Sequence, residues 1–230
     1  MTLGRLAIQP GASIDRRPRL AGRDLGTALL ALAGLAAVVG LRWAALADGR
    51  LDGITIGLLF GLGLVVVGVA ASASARHGDI GSESVTGAAS GFGRRLAVDI
   101  AVGLAGGFAL VALALVARTA GPSAATTGFG LGPAALFAPW LAVTTLVALA
   151  EEVVLRGVLF TAVERLGGAA RAVAVTSVAF ALMHVPVYGW HVVPLDLGVG
   201  IFLGGLRLGT GRWLGPGIAH LVADVATWWL

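Results

Sequence analysis

Residues 148–157, ALAEEVVLRG, place two adjacent carboxylates and an arginine inside an apolar segment that covers residues 134–162. At the centre of a bilayer a charged side chain costs from about 2.5 kcal/mol upward, so it needs a partner or a function. Glu152 and Arg156 are four residues apart and share one face of a helix, where they can form an ion pair. Glu151 is rotated by about 100° from Glu152 and cannot use the same arginine in the same way. The segment therefore predicts one glutamate with a structural role and one that is free to react.

The composition is that of a membrane protein. Hydrophobic residues make up 57% of the chain and charged residues 12%, and the mean hydropathy is +0.93. Soluble domains have about 45–50% apolar and about 25% charged residues. Since a span needs about 20 residues, a chain of 230 residues holds little besides spans and short loops. We therefore predict an all-α, polytopic bundle of about seven transmembrane helices, embedded in the lipid bilayer, with no separate soluble domain.

The apolar runs divide the chain into three parts. Residues 1–24 form a basic N-terminal segment, residues 25–133 form three helices with their loops, and residues 134–230 form a core of about four helices. The predicted spans are residues 25–47, 54–75, 96–117, 134–165, 169–184, 195–208 and 213–230. We expect the fifth helix to end at His184, because a residue that precedes proline disfavours the helical conformation. A loop over residues 187–194 is expected to follow.

Two features of the N-terminal part have alternative interpretations. A basic lead and the sequence Ala45-Leu46-Ala47 after the first run can indicate a cleaved signal peptide. The length of that run, with Arg42 and Trp43 at its far end as interface anchors, favours a retained span. In the second run, residues 57 and 61 are both glycine, a spacing suited to close helix contact, although chance gives such spacing in a glycine-rich chain.

The arginines predict the orientation in the membrane. With seven spans, one side holds the N-terminal segment, the loop of residues 76–95 and the pairs at 165 and 171 and at 207 and 212. The other side holds only Arg50, Arg118 and Arg42. The positive-inside rule then predicts a cytoplasmic N-terminus and a C-terminus outside. In a prokaryote the membrane would be the plasma membrane.

The ionisable residues inside the spans lie at similar depths. At about 1.5 Å per residue from the flanking arginines, Glu151 lies about 21 Å, His184 about 20 Å, His220 about 12 Å and Asp224 about 18 Å from the same side. His220 and Asp224 also share one helix face. Singly, such residues are common in helix–helix hydrogen bonds. Together, they predict one functional site built by three helices.

The residue types of this site indicate hydrolysis. His184, His220 and Asp224 are predicted to hold a divalent metal, Zn²⁺, with an open position for water, as catalytic zinc sites have. Glu151 is the candidate base that activates the water, or a further metal ligand. The chain contains no HExxH and no GxSxG motif, and without cysteine it has no thiol nucleophile. The net charge of +4 lies in loops and gives no indication of nucleic-acid binding.

Three motifs in this order resemble those of the CPBP family, the CAAX prenyl endopeptidase and bacteriocin-processing intramembrane proteases. They are Glu151-Glu152-x-x-x-Arg156, Phe180-x-x-x-His184 and His220-x-x-x-Asp224. The resemblance covers about residues 134–230. It implies that Glu151 activates water, that Glu152 and Arg156 support it, and that His184 and His220 bind metal or stabilise the transition state. The family often has Asn where this chain has Asp224, which bears on whether this position is a metal ligand or an amide donor.

Two functions from different classes remain after the sequence analysis. The first is an intramembrane metalloendopeptidase that cleaves a membrane-associated protein or peptide from a cavity open to the cytoplasm. The second is a non-catalytic membrane protein, a transporter or an immunity factor, in which the polar cluster is a proton or ion site. The lack of an inverted duplication of broken helices disfavours a transporter.

Overall fold

The computed structural model describes residues 17–76, 89–120 and 133–230. The α-helices in these residues are α1 (Arg17–Asp48), α2 (Gly53–Arg76), α3 (Ala89–Ala120), α4 (Phe137–Glu152), α5 (Phe160–Gly167), α6 (Ala169–Tyr188), α7 (Val193–Thr210) and α8 (Leu214–Ala226). A π-helical segment, Val153–Leu159, joins α4 to α5 without a break, so that the described residues form seven helical segments. Short 3₁₀ turns, Ala134–Leu136 and Trp190–Val192, precede α4 and α7. The described residues contain no strand, and the predicted helical bundle is confirmed.

Five of these helices are long and apolar enough to cross a membrane. They are Ala21–Asp48, Gly53–Ala75, Phe92–Val116, Ala169–Tyr188 and Trp190–Thr210. α8 is a shorter apolar helix, and the continuous helix from α4 to α5 carries the charged motif. Large apolar side chains such as Val66 and Phe108 are about two-thirds exposed, at 67% and 65%. Such exposure fits a lipid surround, and the chain is an integral membrane protein.

The second helix packs closely on the fourth at its glycines. A Cβ atom on Gly57 would lie 2.7 Å from Cγ1 of Val143, and one on Gly61 would lie 2.9 Å from Cγ of Leu146. Both distances are too short for a side chain, so α2 and α4 approach each other to a separation that only glycine allows. The predicted helix contact at this pair is confirmed.

The turn between α1 and α2 lies between the first two predicted spans. The carboxylate of Asp52 accepts hydrogen bonds from the hydroxyl of Thr55 at 2.6 Å and from its backbone N–H at 2.9 Å. An acidic side chain that accepts a backbone N–H in this way caps the start of a helix. Because both bonds favour the ionised carboxylate, the pKa of Asp52 lies below its ordinary value, with the hydroxyl contact as the largest cause.

The predicted end of the fifth helix is wrong. α6 continues through Pro186 to Tyr188, and the residues from Trp190 onward form a 3₁₀ turn and α7 instead of a loop. Proline removes one backbone donor, which the last turn of a helix tolerates better than its middle does. The helix ends at Gly189, whose φ of +88° breaks the helical path and whose N–H bonds to the carbonyl of Val185 at 2.8 Å. The restriction on the residue before Pro186 therefore does not end the helix, and Gly189, three residues after the proline, does.

Two further boundaries differ from the apolar runs. α1 begins at Arg17 and α3 at Ala89, several residues before the predicted spans. A helix can extend into water beyond the apolar core, so hydropathy marks the span and not the helix. Residues 1–16 and the predicted loops around residues 77–88 and 121–132 lie outside the described part of the chain.

Candidate active site

The charged motif forms a fully buried ion pair. Nη1 of Arg156 lies 2.7 Å from Oε1 of Glu152, and both side chains are 0% exposed. Nη2 of the same guanidinium donates to the carbonyl of Gly200 on α7 at 3.1 Å, and the guanidinium lies 4.9 Å from the ring centre of Phe180. The pairing predicted from the four-residue spacing is confirmed. It ties α4 and the π-helical segment to α6 and α7.

The π-helical segment leaves the carbonyl of Arg156 without its usual helical hydrogen bond, and Arg207 donates to it instead. The N–H of Phe160 bonds to the carbonyl of Leu155, five residues back, instead of to that of Arg156. Nε of Arg207 donates to the Arg156 carbonyl at 2.9 Å, and Nη2 lies 3.4 Å from the hydroxyl of Thr161. The sequence predicts Arg207 only as a charge on the cytoplasmic side. Its contact could not be found there, because no sequence pattern reports where a helix changes from α to π.

His220 joins the two glutamates from α8. Its Nδ1 lies 3.1 Å from Oε1 of Glu152, and its Nε2 lies 3.8 Å from Oε2 of Glu151. Nε2 is also 3.5 Å from Oδ2 of Asp224, one turn further along α8. Since a carboxylate accepts, Nδ1 carries the proton of its bond to Glu152, and Nε2 faces the other two acids. The structure thus brings the first and third motifs together, as their depths predict.

His184 lies beside this cluster on α6. Its Nδ1 is 2.8 Å from the carbonyl of Phe180, so this nitrogen is the donor and Nε2 is free. The Phe180 ring stands edge-on to both imidazoles, with centroids 4.7 Å from His184 and 5.3 Å from His220. Tyr188 stacks on His184 with centroids 5.9 Å apart, and Oδ2 of Asp196 lies 3.7 Å from Nδ1. Tyr188, an interface residue by sequence, and Asp196, an acid near a span end, were not assigned to the site, because the contact of Asp196 depends on how α7 is rotated against α6.

A cavity of about 570 Å³ gives access to the cluster. Its polar lining consists of Glu151, His184, Asp224, Asp52, Tyr188, Arg42, Thr144 and Thr227, and Trp140 and Trp228 contribute aromatic walls. Glu151 is buried, at 2% exposure, yet belongs to this lining. Arg42, which the sequence predicts as an interface anchor, lines the cavity, and its guanidinium lies 4.4 Å from the ring centre of Phe60. The only indication of this position in the sequence is that Arg42 is a charged residue one or two turns before the end of the predicted span.

The cavity and the N-terminal end of α1 lie at opposite ends of the bundle. Lining residues come from the end of α1, the start of α2, the end of α6 and the residues after α8. Near the start of α1, Asp24 lies 3.5 Å from Arg165 at the end of α5. Eighteen residues of helix, about 27 Å, separate Asp24 from Arg42. A cytoplasmic N-terminus and a cavity open to the cytoplasm are therefore incompatible, and that combination of predictions is wrong.

The predicted metal ligands are not gathered around one point in the structure. Within residues 17–76, 89–120 and 133–230, no three His, Cys, Asp or Glu side chains are grouped to hold a metal ion. Nδ1 of His184 and Nδ1 of His220 are hydrogen-bonded, which leaves Nε2 of each imidazole as the nitrogen that could bind a metal. In the structure, only Nε2 of His220 faces two carboxylates. Zinc at His184, His220 and Asp224, with Glu151 as a further ligand, stays a prediction, and no step below passes through it.

Comparison with known proteins shows a similarity in the C-terminal part of the chain. A family model described as Type II CAAX prenyl endopeptidase Rce1-like matches residues 133–226. No curated protein and no solved structure matches the chain. The matched segment contains Glu151, Glu152, Arg156, His184, His220 and Asp224. The match confirms the resemblance drawn from the three motifs: residues 133–226 are similar to the Rce1-like family model, which is consistent with the CPBP family.

Proposed function

We propose that the protein is an intramembrane endopeptidase that hydrolyses a peptide bond in a membrane-associated protein or peptide, with Glu151 as the general base. One observation carries this proposal. Glu151 is buried, yet it lines a cavity that also holds His184 and Asp224. The neighbouring carboxylate, Glu152, is already paired with Arg156. A carboxylate in this position can reach water in the cavity without giving up a structural bond.

The roles of the side chains follow from their contacts. The Glu151 carboxylate accepts a proton from a water molecule, and the water oxygen forms a bond to the carbonyl carbon of the substrate while the C=O electrons move to oxygen. A protonated His220 donates to Glu152 through Nδ1 and is left with Nε2–H for the oxyanion. Glu151 then returns the proton to the amide nitrogen as the C–N bond breaks. The buried Glu152–Arg156 pair holds His220 in the orientation that this requires.

The orientation of the cavity limits the substrate. The arginine distribution supports a cytoplasmic N-terminus, and the cavity then opens on the side opposite to that terminus. The substrate is accordingly a protein or peptide whose cleavage site reaches this side of the membrane.

The test compares two Glu→Gln variants in the purified full-length protein. Glu151→Gln removes the base while it keeps the side-chain volume, and Glu164→Gln, in α5 at the far end of the bundle, is the matched control. Both variants and the unaltered protein are incubated in lipid vesicles with a mixed library of short apolar peptides, and products are identified by mass spectrometry. We expect cleavage by the unaltered protein and by Glu164→Gln, and a loss of at least about 100-fold in Glu151→Gln, the usual scale for removal of a general base. Near-normal turnover by Glu151→Gln would overturn the assignment.

A further inference from the structure

Arg42 brings a positive charge into the cavity from outside the matched segment. It lies on α1, about ninety residues before the segment of residues 133–226 begins. Its guanidinium stacks over Phe60, whose side chain is 3% exposed and belongs to the core. The stacking holds the planar group in one place at the cavity wall. The position of Arg42 is therefore fixed by packing and not by a charged partner.

Among the described residues, Arg42 makes no ion pair. Arg156 pairs with Glu152, and Arg207 bonds to a backbone carbonyl, but Nε of Arg42 is buried and has no hydrogen-bond partner. A guanidinium keeps its charge at any ordinary pH, and its fork of N–H donors matches the two oxygens of a carboxylate. The carboxylates of Asp52, Glu151 and Asp224 line the same cavity, yet none of them lies within ion-pair distance. A half-buried, unpaired guanidinium beside a cavity is thus a vacant position for an anion.

From this geometry, and resting on the proposed function, we propose that Arg42 binds a carboxylate of the peptide substrate. The carboxylate is either an acidic side chain or the C-terminus of the peptide. The three acids of the cavity repel a negative group at other positions, whereas Arg42 attracts it. Of the lining residues, only Arg42 is permanently positive. One charged contact therefore selects carboxylate-bearing peptides and fixes their direction relative to Glu151.

Binding is measured with three forms of one fluorescent peptide, so that cleavage does not interfere. The full-length Glu151→Gln protein, in detergent, is titrated with a dansyl-labelled hexapeptide of Ala, Val and Leu. The first form has a C-terminal amide, the second has a free C-terminal carboxylate, and the third is the amide with one internal Glu. The same titrations are made with Arg42→Gln and with Arg42→Lys in the Glu151→Gln protein. Arg42→Lys keeps the charge but loses the planar fork.

We expect one of the two carboxylate forms to bind at least about tenfold more tightly than the amide, the scale of a charged hydrogen bond. Arg42→Gln should abolish this difference and leave the affinity for the amide unchanged, while Arg42→Lys keeps part of it. Tighter binding of the second form identifies the C-terminus as the source, and tighter binding of the third identifies an acidic side chain. Equal affinity for all three forms, no binding of any form, or a uniform loss in Arg42→Gln would overturn the proposal. Failure of the proposed function is seen separately, as absence of cleavage by the protein with Glu151 intact.

Discussion

Glu152→Gln tests whether the buried ion pair holds the bundle together. The substitution removes the negative charge 2.7 Å from Arg156 while the guanidinium stays at 0% exposure. Arg156 keeps its bond to the carbonyl of Gly200, and Gln retains an oxygen that can accept from Arg156 or from His220. The substitution removes the carboxylate that neutralises Arg156, whose guanidinium has no access to water. The effect is therefore on stability, in contrast to Glu151→Gln, which leaves no buried charge unpaired.

The expected cost is set by burial. Breaking a buried pair by removal of one partner costs about 3–5 kcal/mol, and the retained acceptor places this variant near 3 kcal/mol. For a chain of this size, each kcal/mol lowers the unfolding midpoint by about 2–4 °C, which gives a decrease of about 6–12 °C. Asp24→Asn is the matched control, because its 3.5 Å pair with Arg165 leaves the arginine side chain 61% exposed. An exposed pair contributes about 0–1 kcal/mol, so the control should lose no more than about 4 °C.

The assay is thermal unfolding of both variants in one detergent, followed by tryptophan fluorescence and by size-exclusion chromatography after heating. A second comparison replaces both partners, with Glu152→Leu and Arg156→Met together. The double variant has no buried charge and should regain part of the stability that Glu152→Gln loses. If Glu152→Gln melts within the range of Asp24→Asn, or if the double variant is less stable than the single one, the buried-charge argument is refuted.

Three further predictions follow from the site and its placement. Arg207→Gln leaves the carbonyl of Arg156 without a donor, so kcat should fall about tenfold with little change in KM, and Arg207→Lys should recover part of the loss; equal kinetics for all three proteins would contradict the role of Arg207. If zinc is bound, Asp224→Asn should bind zinc more weakly and cleave more slowly, with partial recovery in added zinc; equal or faster, chelator-resistant cleavage would favour an amide donor instead. In a chain without native cysteine, single cysteines at Ala47 and Ala170 should label from outside and from the cytoplasm, respectively; labelling of Ala47 only from the cytoplasm would reverse the orientation of the cavity.

The contacts that were predicted correctly depend on helix geometry alone. The spacing of Glu152 and Arg156 fixes their common face, and the same holds for His220 and Asp224. The meeting of α4 with α8 at one level follows from the constant rise of a helix, once arginines mark the membrane surface. Within a bilayer, these spacing rules predict pairing better than they do in water, because an unpaired charge there has no water to solvate it.

The contacts that were missed depend on how one helix is rotated and displaced against another. Such contacts include the cavity position of Arg42, the approach of Asp196 to His184 and the bond from Arg207 to a carbonyl, each of which joins residues of different helices. No spacing rule links such residues. The π-helical segment adds a local rotation that the apolar pattern does not show, because every residue there is buried or half-buried whichever register the backbone takes. Of the missed residues, Arg42 and Tyr188 line the cavity beside the predicted Glu151, His184 and Asp224, whereas Asp196 and Arg207 contact the surrounding helices.

The depth of the cluster limits how a substrate can reach it. α8 has 13 residues and is about 20 Å long, less than the hydrocarbon thickness of about 30 Å. Asp224 lies two residues before the end of α8, and His184 lies four residues before the end of α6. The reacting groups are thus close to the end of the bundle at which the cavity also reaches Asp52, in the turn between α1 and α2. A substrate segment that crosses the whole bilayer as a helix would have to unwind several turns before its backbone reached Glu151, with its hydrogen bonds unsatisfied. An extended peptide end that enters from this side avoids this cost, and Arg42, in the cavity wall, offers such an end a positive charge.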